Sequence, residues 1–296
     1  MYDSLEAVVV FRLGDCFMLW TGDLRELEPS FGMPVSYRLR MESADGPCSI
    51  PIAVGDTLVF RATGALRCVA CGRSVKKLYQ NGYCFPCVQT LAECDLCIVK
   101  PHQCHFHLGT CRDEAFAAAH CMVPHYVYIA WSSGFKVGIT RKGRHLKRWM
   151  DQGAIEAAVI AEVPDRKTAG DLEVHISQWM ADKTHWRKML ADEAGPDRPL
   201  VEVAREVQAS VAQPYHPYLV ADVRPERLAY PRQPGFNVML TSLVLASDEA
   251  VGGVIRGIKG QYLLFDDGVL NVKRWAGHEV VVEHRSASCS AEVGAN

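Results

Sequence analysis

The chain has 296 residues, of which 49% are hydrophobic, and its formal net charge at pH 7 is -2. That length allows two or three domains with folded cores. The chain has no apolar run of the roughly 20 residues needed to span a bilayer, and acids stand where a signal peptide carries Lys or Arg. We therefore expect a cytoplasmic protein in which clustered cysteines bind metal rather than form disulfides.

The residue pattern of the first half of the chain changes twice, at about residue 66 and at about residue 125. Residues 1–65 alternate apolar and polar positions between Gly and Pro breakers, which predicts a small N-terminal β domain. Residues 66–124 hold short segments between cysteines and have too few large apolar residues for a core without metal. In residues 125–195, HYVYIAW and FKVGIT predict two strands, and residues 144–152 predict a helix. Residues 125–195 are therefore predicted to form an α/β core with a small antiparallel sheet.

The second half continues that core and then returns to β periodicity. AVIAEV predicts another strand, and TAGDLEVHISQWMAD predicts a helix whose apolar face runs from Leu172 to Met180 through Trp179. Residues 196–234 form a Pro-rich connection with a short helix, LVEVAREVQASV. Residues 235–285 predict a C-terminal β segment with a hairpin turn at Asp266–Asp267–Gly268, and residues 286–296 have disordered composition. The fold class is α+β with several domains, and the two β-rich ends are expected to pack on one another.

A first zinc site is predicted by two CxxC turns. Each turn supplies two thiolates from one tight loop, so two turns complete a tetrahedron without further strain. Gly72 and Gly82 give the backbone freedom near both turns. A redox dithiol needs a single CxxC beside a βαβ unit, which does not match two paired turns. The predicted ligands are Cys68, Cys71, Cys84 and Cys87.

A second structural zinc is predicted in the cysteines that follow. Its predicted ligands are Cys94, Cys97, Cys104 and Cys111. Alternative ligands lie close by in the sequence, so one histidine can replace a cysteine, or the additional residues can be packed core. These alternatives are His102, His105, His107, Cys121 and His125. A zinc with an open position that activates water is a third interpretation.

A strongly basic run begins in the second predicted strand and contains no acid. It reads KVGITRKGRHLKR, and its cations are Lys136, Arg141, Lys142, Arg144, Lys147 and Arg148. Such clusters are typical of phosphate contacts, although a solvated helix face has the same composition. Beside a zinc-binding region, this run predicts a nucleic-acid partner, DNA or RNA, contacted by Arg141, Lys142, Arg144 and Lys147.

The segment from residue 126 to residue 173 resembles the GIY-YIG nuclease superfamily. The residues that carry the resemblance are Tyr126–Val127–Tyr128, Lys136–Val137–Gly138, Arg148 and Glu173. In that superfamily a tyrosine and second-motif residues activate water, an arginine steadies the scissile phosphate, and a glutamate holds a divalent ion. The resemblance implies catalytic roles for Tyr128, Lys136, Arg148 and Glu173, with Glu173 as ligand of Mg²⁺ or Mn²⁺. It implies a metal-dependent endonuclease.

Two departures from the superfamily pattern keep other functions open. Lys136 stands where many members have tyrosine, and no Asn occurs between Asn81 and Asn237, where the superfamily has a late asparagine. One alternative is a nucleic-acid-binding protein whose active site has decayed. The other is the same scaffold used on a small anionic substrate.

A second resemblance covers nearly the whole chain. The strings GYCFPC, CHFHLGTCR, KVGITR, RWMDQGA, DKTHWRKML and GIKGQYLLFDDGVLNV look like an uncharacterised family that joins a cysteine-rich region to a GIY-YIG-like core. Asp151, Gln152 and Gly153 belong to its signature and are candidate cleft residues together with Arg141. The competing interpretation is a helix end capped by Gly153.

Overall fold

The computed structural model describes residues 8–12, 15–191, 195–246 and 249–287. The chain forms two compact units. Unit 1 contains Met1–Cys87 and Tyr230–Asn296, and unit 2 contains Val88–Ala229. The cysteine-rich stretch 66–124 is therefore divided between the two units.

The described residues form strands and short α-helices. The strands are β1 (Val8–Arg12), β2 (Asp15–Ser30), β3 (Ser36–Ser43), β4 (Gly46–Ile52), β5 (Thr57–Leu66), β6 (His125–Trp131), β7 (Phe135–Arg141), β8 (Glu156–Val163), β9 (Glu226–Arg227), β10 (Ala250–Val254), β11 (Gly257–Lys259), β12 (Tyr262–Leu264), β13 (Val269–Asn271) and β14 (His278–Arg285). The α-helices are α1 (Phe85–Thr90), α2 (Leu96–Val99), α3 (Glu114–His120), α4 (His145–Asp151), α5 (Arg166–Ile176), α6 (Trp186–Ala191) and α7 (Leu200–Ser210). Within the described residues these strands make three antiparallel sheets, so the fold is mixed α+β.

The large sheet of unit 1 joins the two ends of the chain. Its order is β10-β5-β14-β2-β3-β4, and β1 also pairs with β2. β14 lies between β5 and β2 and is antiparallel to both. Leu24, Phe60 and Val282 are fully buried among its apolar side chains. The expectation that the two β-rich ends pack on one another is confirmed.

The remaining strands of unit 1 form the C-terminal β segment. β11, β12 and β13 make a three-stranded antiparallel sheet. Leu264 pairs with Val269 across the turn that contains Asp266, Asp267 and Gly268, which confirms the predicted hairpin. Positions 288–296 of the predicted disordered tail lie outside the described residues.

Unit 2 is built on a sheet of order β7-β6-β8-β9. Successive side chains of a strand point to opposite faces, so each central strand contributes to two environments. Val127 and Val137 lie in the core with Leu172 of α5 and Val203 of α7. The other positions of β6 and β7, which include Tyr128, Lys136 and Gly138, belong to the opposite face. That face carries the candidate site.

Two helices of unit 2 differ in how well the sequence pattern predicts them. The helix predicted over LVEVAREVQASV is present as α7, and its Leu200, Val203 and Val207 are buried. The helix predicted to reach Met180 ends at Ile176, so Trp179 is 46% exposed. The chain turns there to run beside β7, where the amide of Val137 donates to the carbonyl of Ala181 over 2.8 Å. No helix in the described ranges is long and apolar enough to cross a bilayer.

Candidate functional site

The first cysteine site lies at the ends of two hairpins in unit 1. The turn that begins at Cys68 is closed by a bridge between Arg67 and Ser74. The turn that begins at Cys84 follows a second bridge, between Tyr79 and Tyr83. The first hairpin thus carries Cys68 and Cys71, while Cys84 directly follows the second bridge and Cys87 lies in α1.

The spacing of the sulfur atoms fits zinc. The sulfurs of Cys68, Cys71, Cys84 and Cys87 all lie within 4.8 Å of one another. The Cys71 and Cys84 sulfurs are 3.8 Å apart. A tetrahedron of 2.3 Å Zn–S bonds has an edge of about 3.8 Å. The four-cysteine group is consistent with a structural Zn²⁺, as the sequence predicts.

The backbone around Cys68 favours the thiolate form of that residue. Burial raises the pKa of Cys68, but hydrogen bonds from backbone amides outweigh it and lower that pKa to about 6. One of these donors is the Cys84 amide, 3.2 Å from the Cys68 sulfur. Gly82 has a φ of +104°, and a Cβ on it would lie 2.7 Å from the carbonyl oxygen of Ala276. A side chain at position 82 would therefore displace the second hairpin.

The ligands predicted for the second zinc are arranged differently. Among the described residues, Cys94, Cys97, Cys104 and Cys111 do not form a group with all ligand atoms within 4.8 Å; the group found there is Asp95, Cys97 and His105. Asp95 is already engaged, because its carboxylate lies 2.7 Å from Nε of Arg112 and accepts from the Cys97 amide. The Asp95 carboxylate is therefore better placed to position its segment than to bind metal.

On the sheet face of unit 2, Tyr128 and Gly138 lie opposite each other. They are Cα partners in the β6–β7 pair. A Cβ at position 138 would lie 2.5 Å from the Tyr128 oxygen, so the phenol fills the space that a side chain would take. Tyr128 is fully buried, and burial raises its pKa. Its hydroxyl donates to Oε1 of Gln152 over 2.8 Å.

Lys136 shares that acceptor with Tyr128. Its Nζ lies 2.7 Å from Oε1 of Gln152 and 2.7 Å from Oγ1 of Thr184. The side chain is only 3% exposed. Burial, with the nearby charge of Arg148, lowers its pKa to about 8, against the opposing effect of Glu173. An amine with this pKa can change protonation near neutral pH.

Arg148 and Glu173 complete the cluster. Arg148 is exposed on α4 and lies close enough to Tyr128 and Glu173 to act on both electrostatically. Burial raises the pKa of Glu173, and the neighbouring Asp182 adds to that effect while Arg148 opposes it. The charges of Arg148 and Glu173 therefore act on the pKa values of both Tyr128 and Lys136.

The four residues predicted to contact nucleic acid differ in availability. Lys142 pairs with Glu162 at 2.6 Å, and Lys147 pairs with Asp151 at 2.9 Å. Arg141 is half-buried and donates to the carbonyl of Ala119. Arg144 is exposed immediately before α4. Arg144 and Arg148 are therefore better placed to contact a phosphate than Lys142 and Lys147, which already pair with carboxylates.

The site also uses residues to which the sequence analysis assigned no catalytic role, although it named Gln152 as a candidate cleft residue. Gln152 stands in the signature RWMDQGA and accepts from both Tyr128 and Lys136. Thr184 stands in DKTHWRKML and accepts from Lys136. Gly153 has a φ of +65° and its amide donates to the carbonyl of Met150, which agrees with a helix cap. Their place in these two sequence segments was the one indication that they matter, but a sequence segment does not show which side chains contact one another.

The match to a family model decides the affiliation of the chain. Residues 55–280 match the model of the family described as protein of unknown function, DUF2797. The chain belongs to the DUF2797 family. The matched residues of this DUF2797 protein include both the four-cysteine group and the cluster around Tyr128. The curated proteins and the solved structures contain no match to it. The GIY-YIG resemblance stays a prediction for this DUF2797 protein.

Proposed function

We propose that this chain is a metal-dependent phosphodiesterase that cleaves nucleic acid with a GIY-YIG-type site and carries structural zinc. The observation that carries the proposal is the convergence of a buried phenol, a buried amine, an exposed guanidinium and a half-buried carboxylate. These groups belong to Tyr128, Lys136, Arg148 and Glu173. Phosphodiester cleavage needs positive charge near the phosphate, a proton acceptor for water and a ligand for a divalent ion.

Lys136 is the proton acceptor in this proposal. A general base works best when its pKa is near the working pH, and the pKa of Lys136 is about 8. Tyr128, whose pKa is raised, keeps its proton and acts as a hydrogen-bond donor. Gln152 orients both groups because one oxygen accepts from each.

Arg148 and Glu173 act on the phosphate side. Arg148 is exposed, and a guanidinium matches phosphate oxygens in geometry and charge. Glu173 is an oxygen donor that suits Mg²⁺ or Mn²⁺, with Asp182 near enough to add negative charge. Such an ion, when bound, would stabilise charge on the leaving oxygen. A cation also offsets the cost of keeping the Glu173 carboxylate ionised.

The test is a cleavage assay with the purified chain. Single- and double-stranded DNA and RNA are incubated with it in Mg²⁺ or Mn²⁺, and the products are separated by length. Glu173→Ala is expected to abolish cleavage, whereas Asp171→Ala, on the same helix and paired with Lys167, is expected to retain it. Cleavage that Glu173→Ala leaves unchanged would refute the proposal.

A second candidate function is favoured by the ion pairs of the basic run. Because Lys142 and Lys147 already pair with carboxylates, the exposed cations suited to phosphate are few, namely Arg144 and Arg148. That arrangement suits a small anionic substrate as well as a polynucleotide. Hydrolysis of small phosphodiesters with no affinity for polynucleotides would favour it. Salt-sensitive binding to DNA or RNA without cleavage would instead indicate a decayed site.

A further inference from the structure

The hydrogen-bond partners of Lys136 differ in what they can do with a proton. Its Nζ lies 2.7 Å from Oε1 of Gln152 and 2.7 Å from Oγ1 of Thr184. The amide oxygen of Gln152 only accepts hydrogen bonds, and it also accepts one from Tyr128. The hydroxyl of Thr184 can accept from a charged amine and can donate to the lone pair of a neutral amine. Of these two partners, Thr184 is therefore the one that can exchange a proton with Lys136.

Thr184 is also more accessible than the groups to which its hydroxyl is bonded. Lys136 is only 3% exposed, and Ser132, whose Oγ lies 3.2 Å from Oγ1 of Thr184, is 1% exposed. Thr184 itself is half-buried. Of these three hydrogen-bonded residues, Thr184 exposes the largest fraction of its surface. A water molecule can therefore approach Thr184 more easily than it can approach the amine of Lys136.

Backbone contacts on both sides of Thr184 hold the segment that carries it. Before it in the sequence, the carbonyl of Ala181 accepts from the amide of Val137 over 2.8 Å. After it, the amide of His185 donates to Oγ of Ser133 over 2.9 Å. Neither contact uses the side chain of Thr184. A variant that lacks only the hydroxyl is therefore expected to keep the segment beside β7.

We propose that the Thr184 hydroxyl relays protons between water and the amine of Lys136. For catalysis the inference rests on the proposed function, in which Lys136 is the proton acceptor. As the water oxygen bonds to phosphorus, one water proton passes to Oγ1 of Thr184, and the proton that Thr184 held passes to Nζ of Lys136. The bond between phosphorus and the leaving oxygen breaks, and that oxygen takes a proton from solvent. The ammonium of Lys136 then returns its additional proton to solvent through Thr184.

The relay is tested without substrate by the exchange of the Lys136 ammonium protons with water. NMR of the lysine side-chain nitrogens in the full chain measures this exchange, at a pH below the Lys136 pKa of about 8. Thr184→Val removes the hydroxyl, so exchange is expected to become several-fold slower. Thr184→Ser keeps a hydroxyl and is expected to exchange as wild type does. Thr140→Val is the matched control, because Thr140 is a buried threonine on the same strand as Lys136, and it is expected to leave exchange unchanged.

Two results of the exchange measurement would overturn the proposal. Faster exchange in Thr184→Val would show that the threonine side chain only shields the amine from water, which is the result expected of a purely structural role. Unchanged exchange in Thr184→Val would show that the protons leave Lys136 by another route.

Cleavage assays separate the relay from the proposed function. If wild type cleaves nucleic acid, Thr184→Val is expected to lower kcat by about 10²–10⁴-fold with little change in KM, which is the usual contribution of general acid–base catalysis. Thr184→Ser is expected to restore most of that loss. A wild-type kcat in Thr184→Val would overturn the catalytic role of Thr184 and leave the proposed function standing. No cleavage by wild type would refute the proposed function, whereas slower exchange in Thr184→Val would still support the relay.

Discussion

The phenol of Tyr128 occupies the space that a side chain at position 138 would need. Its oxygen lies 2.5 Å, and its Cζ 2.6 Å, from the ideal Cβ position of Gly138. The glycine on β7 therefore lets the aromatic ring of β6 lie across the strand pair. That placement brings the hydroxyl to Gln152 and so to the acceptor that Lys136 also uses.

Gly138→Ala is expected to destabilise the fold by about 1–3 kcal/mol, the usual cost of overpacking. The backbone at position 138 does not require positive φ, so the cost comes from the clash with Tyr128. The free energy of unfolding, measured in urea, checks this. Gly195→Ala is the matched control, because no atom lies within 4 Å of its Cβ position. Equal stability of the two variants would contradict the expected clash.

Glu173→Gln is expected to raise Tm. The folded-state pKa of Glu173 is raised, so the ionised carboxylate costs stability at neutral pH. This cost grows as the pH rises from the ordinary pKa of a glutamate through the folded-state pKa. The amide removes this cost, and each kcal/mol regained raises Tm by roughly 2–4 °C. Calorimetry without divalent ions measures it.

The control for that measurement is Asp171→Asn on the same helix. Asp171 pairs with Lys167 at the surface, so its amide variant is expected to leave Tm unchanged or slightly lower. A Tm gain that is equal at pH 4 and pH 7 would argue against the carboxylate as its cause, because the protonated acid carries no such cost.

Lys136→Met is expected to change how stability depends on pH. The folded-state pKa of Lys136 is about 8 instead of 10.5, so the unfolded chain binds more protons between these values. The stability of wild type relative to Lys136→Met therefore rises between pH 8 and pH 10.5, by about 3 kcal/mol. Urea unfolding across this range tests the sign.

Lys142→Met gives the opposite sign and serves as the control. The hydrogen bond and ion pair with Glu162 raise the pKa of Lys142, so its stabilising effect is present below the ordinary pKa and is lost above the folded-state value. Parallel pH profiles for the two variants would show that Lys136 is not held with a lowered pKa.

Cys84→Ser is expected to release the zinc of unit 1 and to unfold its two hairpins. Structural zinc supplies about 10–16 kcal/mol of binding free energy in small domains, so the loss of one thiolate is expected to free the segment that the four cysteines hold. Limited proteolysis should then cut between Cys68 and Cys87. Cys48→Ser, which changes a buried thiol of the same unit, should leave this segment resistant.

Arg144→Ala and Arg148→Ala are expected to weaken polynucleotide binding and to reduce its dependence on salt. Each lost phosphate contact lowers the slope of log affinity against log salt by about 0.9 for duplex DNA and about 0.7 for single strands. Lys142→Ala is expected to have a smaller effect, because Lys142 already pairs with Glu162. Titrations at several salt concentrations measure the slopes, and equal effects of all three variants would contradict this ranking.

The sequence predicts local features of this molecule well. β6 and β7 and the hairpin between β12 and β13 follow from short periodic segments around turn residues. The first cysteine group follows from two CxxC turns, because each turn fixes two ligands without help from distant residues. These features depend on neighbours along the chain.

Other features depend on segments that meet only in the folded chain. The low exposure of Lys136 requires residues 181–184 to return beside β7, and its Thr184 partner belongs to that segment. The apolar spacing of Trp179 predicts a longer α5, but that pairing with β7 ends the helix early.

The position of β14 has a consequence for the order in which the chain matures. β14 lies inside the unit 1 sheet, yet it follows the whole of unit 2 in the sequence. During synthesis, unit 2 is complete before the sheet of unit 1 can close, because β14 lies between β5 and β2 in that sheet. Nascent chains stalled before β14 should therefore carry a folded unit 2, while β5 and β2 of unit 1 still lack the strand that joins them.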